Sequence, residues 1–167
     1  MTTEGPLSRV LRGWHAFENW TALVLMLAVT FLVFVQVILR YVLHHPLMGI
    51  EEMLLFPTIW LYFLGGVIAS RDRNHIECRV VTMYVRGTSL HVANALKAGI
   101  SLVVALWLTY AAYGYLRYAL RVGKESDMLY IPLVIGECAL FVGLLLMSIY
   151  TAWELADHVR LARKGGE

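Results

Sequence analysis

Glu51 and Glu52 are adjacent carboxylates followed at once by an apolar run, and Glu137 is a third carboxylate set among apolar residues later in the chain. Carboxylates in such places stabilise the positive end of a helix dipole, pair with a cation, or carry protons or ions across a membrane. Arg40 precedes the glutamate pair, and Arg71 and His75 follow the run, so one apolar segment between Gln36 and Glu77 has charged groups at both ends. At the edge of such a segment the helix-dipole role is worth roughly 0.3–1 kcal/mol per carboxylate. The short connection also brings Arg40 back toward Glu51 and Glu52, where an interfacial ion pair would fix the hairpin. Glu137 falls about ten residues into the last apolar run. It is the candidate coupling carboxylate of a small proton-driven exporter, but no second charge at that depth completes a relay. A buried structural or interface role is the stronger reading of Glu137.

Other chemistry is sparse. All six histidines lie outside the apolar runs, which argues against a haem held between transmembrane helices, since that needs imidazoles at membrane depth. His44 and His45 are neighbours and poor partners for one metal. Cys78 and Cys138 form no CxxC and no disulfide framework. There is no HExxH, Walker or GxSxG sequence and no Ser/His/Asp arrangement. No enzyme activity, cofactor, metal site or substrate-binding residue is therefore assigned. The apolar runs also lack the polar lining or broken helices of a self-sufficient transporter.

The elements that position these residues are membrane helices. Of the 167 residues 59% are hydrophobic and 16% charged, far from the roughly 45–50% apolar and about 25% charged of a soluble domain. Four runs approach the roughly 20 residues needed to cross a bilayer: about Trp20–Leu39, Met53–Ala69, Ala98–Leu116 and Met128–Tyr150. The reading is a single all-α membrane domain over residues 1–167. Arg9 and Arg12 precede the first run, which is longer than a signal-peptide core and is followed by no small-x-small site, so it is read as a retained helix. Placing both termini in the cytoplasm puts ten Lys and Arg residues inside and four outside, the arrangement that the positive-inside rule favours. No basic patch with interleaved aromatics points to nucleic acid.

Two short interfacial amphipathic helices are expected besides the spans. Leu7, Val10, Leu11, Trp14 and Phe17 recur at helical spacing in the polar lead, as do Ile76, Val80, Met83 and Tyr84 in the second loop. Pro46 and Gly49 mark the first turn. Pro57 removes a backbone donor inside the second span and is expected to bend it. Gly65 and Gly66, with Gly136, Ala139 and Gly143, supply the small surfaces through which membrane helices approach closely.

The order Arg40, Glu51-Glu52, Trp60, Phe63-Leu64-Gly65, Arg71, His75-Ile76, followed by Gly123, Ser126 and Leu129-Tyr130-Ile131-Pro132, resembles the small membrane subunit (DctQ-like) of tripartite ATP-independent periplasmic (TRAP) transporters. The resemblance covers essentially the whole chain. It implies a non-catalytic subunit of a secondary active transporter in the bacterial inner membrane. This subunit would support a large membrane subunit in sodium-coupled uptake of an organic anion, which a periplasmic binding protein delivers. Substrate and sodium sites would lie on the large subunit. Arg40, Glu51 and Glu52 are then expected to fix one corner of the membrane domain and Arg71 and His75 the other, with Trp60, Gly65 and Gly66 on the face toward the large subunit. The rival readings are the Glu137-dependent exporter, acting as an oligomer, and a membrane anchor of a redox complex.

Overall fold

The computed structural model describes residues 6–45, 47–72 and 88–164. Four helices follow one another: α1 (Pro6–Tyr41), α2 (Met48–Arg71), α3 (Thr88–Val122) and α4 (Val134–Lys164). Each is long and apolar enough to cross a membrane, over Leu11–Tyr41, Met48–Arg71, Leu96–Val122 and Val134–Asp157. At about 1.5 Å per residue, the 24 residues of α2 alone extend about 36 Å. No strand forms among the described residues, where the single β-bridge joins Glu125 and Pro132.

The helices are joined in space in the order α1, α2, α4, α3: α1 packs on α2, α2 on α4, and α4 on α3. The most apolar stretch of α4 is 28% buried, against 11% in α2 and α3 and 6% in α1, so α4 is the central element. Its contacts are made through small residues. Gly136, Ala139, Gly143, Ser148 and Thr151 are all buried, and α3 meets α4 with buried Ala98, Ala112 and Ala119. Small side chains let helix backbones come close where lipid supplies no hydrophobic drive. Large apolar side chains such as Trp20, Phe31, Phe34, Tyr62 and Trp107 point outward, the inverse of a soluble core.

Three local expectations are revised. The polar lead is no separate interfacial helix, because α1 is continuous from Pro6. Gly49 lies inside α2 rather than in the turn. The fourth helix starts at Val134, not near Met128. Residues 123–133 instead form a folded loop. Gly123, at φ +62, closes α3 by donating its amide to the Ala119 carbonyl at 2.9 Å, the left-handed position that follows many helix ends. Ser126 donates its amide to the Ile131 carbonyl, and Leu133 to that of Lys124. The amphipathic run expected between Ile76 and Tyr84 lies outside the described residues.

Candidate functional site: two polar corners and an open groove

The α1–α2 and α3–α4 connections lie at one end of the domain, called here the hairpin end. Adjacent residues of a helix point about 100° apart, and this sends Glu51 and Glu52 to different neighbours. Glu51 faces α1: it accepts a hydrogen bond from Gln36 Nε2 at 3.0 Å, and Arg40 Nη1 lies 3.9 Å away. Arg40 and Glu51 are both more than half exposed, so the ion pair alone contributes about 0–1 kcal/mol. Gln36 is buried, and its Oε1 has no partner. Glu52 faces the 123–133 loop and accepts from Ser126 Oγ and from the amides of Met128 and Leu129, both at 3.0 Å. One carboxylate thus organises a loop in which Tyr130 adopts φ +52. Between these groups is a wide depression of about 830 Å³, bordered also by Lys124, Glu125 and Asp127. Among the described residues no group of three or more His, Cys, Asp or Glu is placed to hold a metal ion.

At the opposite end Arg71, the last residue of α2, reaches across to α1. Nη1 lies 2.9 Å from Glu18 Oε2 and 3.4 Å from the His15 carbonyl, and Nη2 donates to Asn19 Oδ1 at 3.0 Å. Nε pairs with Asp72 at 2.9 Å. Tyr150 of α4 donates its hydroxyl to the other oxygen of Glu18 at 2.8 Å. Next to Arg71, the Ser70 hydroxyl lies 3.4 Å from that of Thr151. The guanidinium fork, with five N–H donors in fixed geometry, holds α1 and α2 around one buried carboxylate, to which Tyr150 ties α4. His75, expected at this corner, lies outside the described residues.

Between the corners, Trp60 Nε1 donates to the Ile135 carbonyl at 3.0 Å, and a Cβ on Gly66 would sit 3.2 Å from Met147 Sδ. Both residues therefore touch α4 of this chain while remaining partly exposed. Gly65 is exposed, with nothing within 4 Å of where its Cβ would be. Close approach is greatest at Gly143, where a Cβ would lie 2.6 Å from Phe63 Cβ. Glu137 is not ten residues deep in a helix: the late start of α4 puts it in the first turn. There it accepts a 2.7 Å hydrogen bond from the Tyr115 hydroxyl of α3. It lines a groove of about 390 Å³ bounded by α2, α3 and α4.

No sequence pattern singles out Glu18, Tyr150, Gln36 or Tyr115 for these roles. The one hint of Glu18 in the sequence is its place as an acid at the foot of the first apolar run, between Phe17 and Trp20. Chemically both corners join helices, their polar atoms mostly bonded to one another.

Residues 13–161 match the family described as tripartite ATP-independent periplasmic transporters, DctQ component. A search of curated proteins gives no match to the chain. With most of its length inside that match and four helices fit to cross a bilayer, the chain belongs to the DctQ family, the small membrane component of TRAP transporters.

Proposed function

We propose that this chain is the non-catalytic small subunit of a TRAP-type secondary transporter in the bacterial inner membrane, forming one membrane domain with both termini in the cytoplasm. It supports a large membrane subunit that takes up an organic anion with sodium, the anion being delivered by a periplasmic binding protein. The observation that carries the reading is the distribution of polar groups. They are gathered into the Arg40–Gln36–Glu51–Glu52 and Glu18–Arg71–Tyr150 corners, while the outward faces between them are bulky and apolar. That suits a body held at a fixed depth beside a partner better than one that moves a solute through itself. Arg40, Glu51 and Glu52 fix the periplasmic corner, and Arg71 fixes the cytoplasmic one. Trp60, Gly65 and Gly66 are the candidates for contact with the partner, Gly65 being the most open of the three.

The test is co-purification. The tagged chain, expressed with the large membrane subunit of its own transport system, is expected to bring that subunit through purification in mild detergent. Alone in proteoliposomes it is expected to transport nothing. Solute movement by the chain alone, abolished by Glu137→Gln, would instead establish the exporter reading.

A further inference from the structure

α2 and α3 each pack along α4 and not along each other, leaving a trough with α4 as its floor. Leu55, Ile59 and Phe63 form one wall, Tyr115 stands on the other, and Gly136 and Leu140 lie between. At its hairpin end sits Glu137. One carboxylate oxygen takes the Tyr115 hydroxyl, and no described Lys, Arg or His is within ion-pair distance of it. The amino end of α4 supports a negative charge at this place but brings no counter-ion. Every other described carboxylate that anchors a corner is paired with a cation or with several donors. A carboxylate within a membrane normally has a protein or water partner, and acyl chains supply none. The outer face of α1 contrasts with the trough: Trp20, Val24, Leu27, Phe31 and Phe34 are exposed, bulky and uncharged at seven-residue periodicity, a surface suited to lipid.

Building on the assignment of a large membrane partner, we infer that the α2–α4–α3 trough seats one transmembrane helix of that subunit, and that this helix carries a Lys or Arg near its periplasmic end to pair with Glu137. The apolar walls, Leu55, Ile59 and Phe63 on one side and the Tyr115 ring on the other, receive the apolar side chains of the incoming helix. The ion pair sets the register, since Glu137 is the one charged residue among those lining the trough. Tyr115 acts as a positioning residue: it fixes the carboxylate rotamer through one oxygen and leaves the other for the incoming cation.

The experiment uses the assembled pair in native membranes. A photo-crosslinking amino acid is placed at Ile59 and Leu140 in the trough, and at Leu27 and Phe31 on α1 as controls, with Glu137 left intact. Adducts with the large subunit at least ten-fold more abundant from the trough positions are expected. In the second arm, Glu137→Lys is expected to reduce recovery of the large subunit at least ten-fold. Exchanging the basic residue of the crosslinked helix for Glu is expected to restore it. Adducts chiefly from the α1 positions, adducts only with phospholipid, or no adduct from the trough would each overturn the inference, as would unchanged recovery with Glu137→Lys. Because the wild-type pull-down is scored separately, recovery of the large subunit without trough adducts rejects only this docking face. Failure of the pull-down rejects the subunit assignment itself.

Discussion

Arg71 and Glu18 meet at 2.9 Å with their side chains 9% and 2% exposed, and they join the end of α2 to the foot of α1. Removing one partner leaves the other charge buried without its counter-ion, which costs about 3–5 kcal/mol in buried pairs. Arg71→Met is therefore expected to lower the unfolding midpoint in detergent markedly. The double variant Arg71→Met with Glu18→Gln is expected to recover part of the loss. A double variant as unstable as the two single losses summed would show that the two residues act independently.

The glycines of α2 and α4 are expected to separate by environment. Gly143→Ala sets a methyl 2.6 Å from Phe63 Cβ and should destabilise by about 1–3 kcal/mol, the usual range for overpacking. Gly65→Ala meets open space and should leave the isolated subunit unchanged or slightly more stable, since alanine is the better helix former. Thermal melts of the two variants side by side decide the matter.

Glu52 holds the 123–133 loop through Ser126 and two amides. Glu52→Ala is expected to speed hydrogen exchange at the Met128 and Leu129 amides while leaving the centre of α2 protected. Glu51→Ala, which loses only Gln36 and Arg40, should leave the loop amides as slow as in the wild type.

Trp60→Phe keeps an aromatic ring near α4 but deletes the donor to the Ile135 carbonyl. The expected loss is about 0.5–1.5 kcal/mol, the net worth of a typical hydrogen bond, visible as a modest drop in thermal midpoint. A loss several times larger would mean that Trp60 acts mainly through packing.

The four spans were legible because an apolar run of bilayer length rarely occurs outside a membrane helix. A short hairpin between two such runs brought Arg40 toward Glu51 or Glu52, and the loop that engages Glu52 leaves Glu51 for the pair. Helix ends were less legible. Hydropathy sees Met128–Leu133 as apolar, but their backbone folds into a loop through Ser126, Glu52 and a left-handed Tyr130, contacts that no local pattern encodes. The same apolar residues make Glu137 look like the tenth residue of a helix, whereas it stands in the first turn, beside Phe56 and Ile59 of α2. Glu18 was hidden for the opposite reason: its surroundings look like a polar lead until Arg71, 53 residues away, and Tyr150, 132 residues away, close over it. The contact of Trp60 and Gly66 with α4 likewise depends on which side of α2 its neighbour occupies.

The unbroken α1 has a geometric consequence. Its 36 residues extend about 54 Å, far beyond the roughly 30 Å hydrocarbon layer, and the Glu18–Arg71 bond levels its thirteenth residue with the end of α2. The twelve residues before it, Pro6–Phe17, overshoot that end by about 18 Å. The subunit thereby carries a helical stalk whose height above α2 is set by the bonds of Arg71 to Glu18, Asn19 and the His15 carbonyl, and cargo fused to its amino end would be held beyond the end of α2 rather than beside it.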